Sequence, residues 1–127
     1  MNLAIDANRY IDFCRGDEAV VDILQRATAI FVPVIVLAEL RTGFLAGTHA
    51  KPNEEVLERF LRKPGVHVLN PDEQTTHYYA ALYRQLRRQS TPIPSNDLWI
   101  AALVAQHHLT LYARDPHFDH LPQIPKV

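Results

Sequence analysis

The chain has 127 residues, with 13 Lys or Arg against 14 Asp or Glu and a formal net charge of −1. That length makes one domain, able to bury roughly two thirds of its unfolded surface, and the even charge balance excludes a globally basic nucleic-acid binder. A hydrophobic content of 47% with 4 Gly and 9 Pro excludes a disordered chain, and the single Cys14 excludes a disulfide framework or a cysteine-rich zinc site. Met1-Asn2 leads straight into Leu3-Ala4-Ile5, and no apolar window approaches a membrane span. The expectation is a soluble cytoplasmic protein, a single domain over residues 1–127 with no membrane partner.

The predicted elements alternate. Leu3 to Ile5 reads as a buried strand ending at Asp6, Tyr10 to Cys14 as a short helix, and Glu18 to Ala27 as a helix with Val20, Val21, Ile23 and Leu24 at helical spacing. Ile30 to Val32 is a second strand halted by Pro33, which suits the first turn of a helix running from Val34 to about Leu45. The β-branched Val34-Ile35-Val36 leaves a longer second strand open as an alternative. Asn53 to Arg62 is a polar helix broken by Pro64-Gly65, and Val66 to Leu69 is a third strand. Pro71-Asp72 opens a long helix to about Arg88. Asn96 to His107 has an apolar body from Leu98 to Ala105 that should be buried on most sides, with Ser95 or Asn96 as its cap. Leu109 to Tyr112 is a fourth strand, with a last short one near Ile124. This alternation predicts an α/β fold, an α/β/α sandwich around a mainly parallel sheet of four or five strands. Sites in such sheets lie beyond the carboxyl ends of the strands.

Four acids fall where that rule points: Asp6 after the first strand, Glu39 in the helix after the second, Asp97 at the start of the buried helix and Asp115 after the fourth strand. Taken singly, three have ordinary structural explanations: Asp6 as a helix cap, Asp97 as a first-turn acid and Asp115 as a turn residue before Pro116. Glu39 is harder to explain this way, since it interrupts an apolar run and is costly there unless paired or metal-bound. Four carboxylates at one mouth stay ionised together only if cations neutralise them. Mg²⁺ or Mn²⁺ suits oxygen ligands, activates water and grips phosphate oxygens, the chemistry of phosphodiester hydrolysis.

Ile5-Asp6-Ala7-Asn8, the run Val34 to Leu40 followed by Gly43, Asn96 to Ala102, and Leu111 to Phe118 resemble, in order, the four motifs of PIN-domain nucleases. The length and spacing resemble the VapC-type toxins among them. The resemblance implies a PIN-like fold, a metal-dependent endoribonuclease, and Asp6, Glu39, Asp97 and Asp115 as catalytic carboxylates. Asp6 and Asp97 would be the principal metal ligands, with Glu39 and Asp115 ligating directly or through water. It also implies an RNA substrate, a cognate antitoxin and a homodimer. One position departs from the pattern: where the family often has Ser or Thr, two residues before the fourth acid, this chain has Ala113, so a hydroxyl that could orient Asp115 is absent.

Candidate substrate contacts are Asn8, Arg9, Arg114 and the helix face Arg84, Arg87, Arg88. The same residues also fit ordinary roles: Asn8 shapes a turn, Arg9 and Arg114 balance acids, and the helix face is solvated and salt-bridged. Trp99 and Tyr112 fit the core better than base stacking. Asp115, His117, Asp119 and His120 form a loop with a zinc-like composition, but no His-Glu-x-x-His motif or cysteine accompanies it, and Asp119 fits a solvated loop. Two rival functions remain: a non-catalytic RNA- or protein-binding module on a degenerate PIN fold, and an Asp-nucleophile phosphohydrolase. The latter lacks an acid at Asn8 and a well-placed lysine among Lys51, Lys63 and Lys126.

Overall fold

The computed structural model describes residues 1–127. The elements are β1 (Asn2–Ile5), α1 (Ala7–Cys14), α2 (Glu18–Arg26), β2 (Ala29–Pro33), α3 (Val34–Ala46), α4 (Ala50–Leu61), β3 (Val66–Leu69), α5 (Glu73–Gln89), α6 (Ser95–Gln106) and β4 (Thr110–Tyr112), followed by a 3₁₀ turn, Pro116–His120. The four strands form one all-parallel sheet in the order β3-β2-β1-β4. Leu3, Ala4 and Ile5 are all 0% exposed although successive strand residues point to opposite faces, so both faces of β1 are covered. The six helices supply that cover and make an α/β/α sandwich. No helix is long and apolar enough to cross a membrane.

Local chemistry explains the boundaries. Pro33 ends β2 because it has no N–H to donate, and its extended backbone opens α3 directly. The good helix formers from Leu37 to Leu40 carry Val34-Ile35-Val36 into the helix, so the longer second strand does not form. α1 begins at Ala7, three residues before the expected start, because Asp6 caps it. α4 also begins three residues early, at Ala50, with Pro52 tolerated in its first turn. Asp72 and Thr75 close a reciprocal capping box on α5. On α6 the expected cap is corrected. Ser95 and Asn96 are already helical, Pro94 stands at the cap without a side-chain bond, and Asp97 lies in the first turn. The expected fifth strand is likewise reduced to a single parallel bridge, Leu111 to Lys126, with Ile124 buried beside it.

Buried positions from every element except the exposed edge strand β3 form one cluster of 26 residues. Its heart is α6, where Leu98 and the run from Ile100 to Val104 are all buried, as the unbroken apolar body predicted. The chain leaves β1 for β2 on one side and later returns to β4 on the other. The order therefore reverses at β1, and the carboxyl ends of β1 and β4 face the crevice where such sheets bind ligands. Asp6 and Asp115 lie just beyond those two strands.

Candidate active site

Asp6 is fixed from two elements at once. One carboxylate oxygen accepts the backbone N–H of Arg9 at 2.8 Å, capping α1. The other accepts the backbone N–H of Arg114 at 3.2 Å, from the loop after β4. Asp6 is 5% exposed, and burial pushes its carboxyl above the ordinary range, although these two N–H donors and the charges of Arg9 and Arg114 pull it down.

Glu39 stands half-buried in the second turn of α3. Burial raises its carboxyl first, then the charge of Asp97; a hydrogen bond from the Asn96 side chain opposes this, and Asp6 and Asp115 raise it further. The charges of the other three predicted acids therefore all reach Glu39. Asp97 is also raised, by burial first and by the charge of Asp115, with its hydrogen bond to His117 acting the other way. Asp115 caps the 3₁₀ turn by accepting the His117 backbone N–H at 2.9 Å. That contact and the His117 ring hold Asp115 where the family's hydroxyl is replaced by Ala113.

His117, grouped in sequence with Asp115, Asp119 and His120, stands beside Asp115 and also beside Asp97. Its Nδ1 lies 2.7 Å from Asp97 Oδ2 and 2.8 Å from Asp115 Oδ1. One ligand atom from each of Asp97, Asp115 and His117 lies within 4.8 Å of the others. Asp119 and His120, the other members of the zinc-like loop, are exposed and outside this cluster.

The nearby arginines are engaged elsewhere. Arg9 and Arg114 both converge on Asp12, at 3.5 and 3.3 Å. Arg9 also lies 4.4 Å over the Tyr112 ring. Asp12 is buried and was missed by the sequence reading; the available signal was an acid three residues after Arg9 on α1. No Lys or Arg forms an ion pair with Asp6, Glu39, Asp97 or Asp115. The lysines are remote in their contacts too. Lys63 lies over Phe13, Lys126 binds the carbonyls of Leu121 and Ile124, and Lys51 is exposed on α4. An Asp-nucleophile phosphohydrolase has no lysine here to steady a phosphoryl group.

The profile of the PIN domain family matches residues 3–124. The chain belongs to the PIN domain family. Among the relatives of this PIN chain, Ribonuclease VapC4 of Mycobacterium tuberculosis is 28% identical over 96 residues, covering 76% of this chain and 74% of the relative. The structure of VapBC2 from Rickettsia felis, bound to a DNA fragment from their promoter, superimposes with a TM-score of 0.86 at 23% identity, over 100% of this chain and 98% of that one. VapBC-5 from Mycobacterium tuberculosis, described as a member of the VapBC family of toxin-antitoxin systems, gives a TM-score of 0.76 at 25% identity, over 99% and 98%.

The remaining candidate residues of this PIN chain take varied places. Asn8 is half-buried on α1 with no side-chain hydrogen bond among those formed. Arg84, Arg87 and Arg88 lie exposed on α5 and form no ion pair, so the solvated face is present without its expected salt bridges. Tyr112 is buried, and half-buried Trp99 packs on Tyr79 at 4.3 Å between ring centroids, both as structural residues.

Proposed function

We propose that this PIN-domain chain is a cytoplasmic, metal-dependent endoribonuclease, the toxin of a toxin–antitoxin pair. One observation carries the reading: four acids share one crevice, three are pushed toward protonation, and no Lys or Arg forms an ion pair with them. The charge such a cluster lacks is that of a divalent cation. The donor set fits one, since carboxylate oxygens suit Mg²⁺ or Mn²⁺. Asp6 and Asp97 would be the principal ligands, with Glu39 and Asp115 binding directly or through water. When bound, the ion polarises a phosphate oxygen and lowers the pKa of a water nucleophile.

The chain's own residues do the rest. Asp6 is held by two backbone N–H groups, so its oxygens need little reorganisation to act. The Asn96 side chain favours the charged form of Glu39. Asp12 clamps the Arg9 and Arg114 side chains, keeping both backbone donors aimed at Asp6. Arg114 keeps a half-exposed guanidinium beside the crevice, suited to a substrate phosphate. Arg84, Arg87 and Arg88 are free to meet RNA phosphates further out.

A groove of about 570 Å³ between α1, α3 and α4 supports the antitoxin part of the reading. Ile11, Leu40, Phe44 and Val56 line it, and it reaches Glu39. An apolar peptide segment ending in a basic side chain would fill the groove and neutralise the acids. The homodimer belongs to the same proposal, supported by the exposed aromatics Tyr78 and Tyr83 on α5.

The test is incubation of the purified, antitoxin-free chain with a mixed RNA pool in Mg²⁺, Mn²⁺ or chelator, beside Asp97→Asn. Discrete cuts that need metal and vanish in a folded Asp97→Asn protein are expected. Cuts that survive in the variant or in chelator would overturn the assignment, and RNA bound without any cleavage would leave the binding-module reading in its place.

A further inference from the structure

We infer that His117 is a nitrogen ligand of the site, which makes it a mixed carboxylate–imidazole centre with a preference for Mn²⁺-like ions over Mg²⁺. The inference rests on the reading that the acids hold a divalent cation. It starts from geometry. Nδ1 of His117 is almost equidistant from Asp97 Oδ2 and Asp115 Oδ1, at 2.7 and 2.8 Å. Without an ion, an N–H at this nitrogen is shared between the two carboxylates, at ordinary hydrogen-bond lengths. A cation that replaces this proton would meet the nitrogen lone pair and both carboxylates at the same shared centre. Neighbouring donors around an octahedral ion with bonds of about 2.1 Å stand about 3 Å apart, and opposite donors about 4.2 Å. The two nitrogen–oxygen separations here, 2.7 and 2.8 Å, are near that cis spacing.

The ring is also held in place before any ion arrives. Its own backbone N–H is bonded to Asp115 at 2.9 Å, and the next residue, Phe118, is 1% exposed and anchors the turn in the core. Pro116 stiffens the step between the two ligand residues. The imidazole is therefore presented by a short rigid turn rather than a mobile loop. Imidazole suits transition ions, whereas Mg²⁺ is served by oxygen and water, so adding a nitrogen changes which ion the site prefers.

The test is Mn²⁺ binding followed by electron paramagnetic resonance, with ¹⁴N hyperfine coupling as the readout, on the wild type, His117→Ala, His117→Gln and Asp97→Asn. The ring is partly exposed, so the His117 variants should fold, and their thermal melts establish that. The expected result is ¹⁴N coupling on bound Mn²⁺ in the wild type and its loss in both His117 variants. Mn²⁺ affinity should fall about tenfold or more while Mg²⁺ affinity, read by competition, falls less. Mn²⁺ bound without nitrogen coupling, or coupling that persists in His117→Ala, would overturn the inference. If that Mn²⁺ is still lost in Asp97→Asn, the carboxylate site stands and only the role of His117 falls. A wild type that takes up no Mn²⁺ would remove both.

Discussion

Replacing Glu39 with Gln should make the metal-free protein more stable and the enzyme inactive. Glu39 has no cationic partner, and its charge is opposed by burial and then by Asp97, Asp6 and Asp115. Gln keeps an oxygen for the Asn96 hydrogen bond and removes the repulsion. The side chain is only half-buried, so solvent screening trims the gain, and about 1 kcal/mol is the expected size. A chain of 127 residues unfolds with an entropy of ~0.27 kcal/mol/K, so the melting temperature should rise by about 4 °C. The pH dependence carries a definite sign. A carboxyl raised in the folded state destabilises the fold above its folded pKa and stops doing so once protonated. The advantage of Glu39→Gln should therefore be full near pH 7.5 and shrink as pH falls through the raised pKa toward the ordinary glutamate range. The assay is thermal unfolding in chelator at several pH values, with metal-dependent RNA cleavage measured beside it. A melting temperature lowered by Glu39→Gln at neutral pH, or cleavage equal to the wild type, would refute the argument that these acids are held together for a cation.

Other expectations follow from the same contacts. Asp12→Ala removes the ion-pair partner of the half-buried Arg9 guanidinium, whose buried Nε already lacks a partner. Breaking a buried pair costs about 3–5 kcal/mol, and the long contacts and exposed Arg114 reduce this to about 2 kcal/mol, measurable by urea unfolding together with lost cleavage. Mn²⁺ at about a hundred times its dissociation constant should stabilise the wild type by about 2.7 kcal/mol. That gain should vanish in Asp97→Asn and diminish toward pH 5, because raised carboxyls must shed protons to bind; differential scanning fluorimetry reads both. Joint replacement of Arg84, Arg87 and Arg88 by Ala should weaken single-stranded RNA binding and flatten its salt dependence by a slope of about 2, leaving the fold and single-turnover chemistry intact; filter binding across a salt series checks it.

The fold was legible because its signals were local and redundant. The apolar body of α6, the Pro33 stop and the run from Leu3 to Ile5 each have one favoured state, and tertiary packing agrees with it. The errors lie where a local signal was weak or shared. Ser95 and Asn96 are good cap residues, but the helix starts after Pro94, whose extended backbone serves as the entry. The tail near Ile124 had strand-like composition, yet it meets β4 through one bridge. In the site, the four acids were legible because parallel-sheet topology sends residues after strands to one edge. His117 and Asp12 were legible only in part: His117 stood beside Asp115 in sequence and Asp12 at i+3 from Arg9, but their contacts to Asp97 and Arg114 are distant in sequence and no spacing rule connects them.

The caps provide an internal comparison between an acid on an exposed surface and one drawn into the crevice. Asp72 and Asp6 both cap helices through backbone N–H groups. At Asp72 the environment favours the charge: the Gln106 side chain, then the Thr75 backbone N–H, hold the carboxyl below its ordinary range on an exposed surface. At Asp6 two backbone N–H bonds and two nearby arginines act in the same direction, and the carboxyl still lies above its ordinary range because burial outweighs them. A cap selected only to start α1 would sit at the surface, as Asp72 does. Asp6 is instead drawn into the crevice at the point where strand order reverses, where its charge reaches Glu39. The fold thus tolerates a buried charge at Asp6: Asn would keep the capping bond from Arg9 but turn its amide NH₂ against the Arg114 N–H. That tolerated cost is intelligible when a cation removes it in the working state, and not when the carboxylate serves the helix alone.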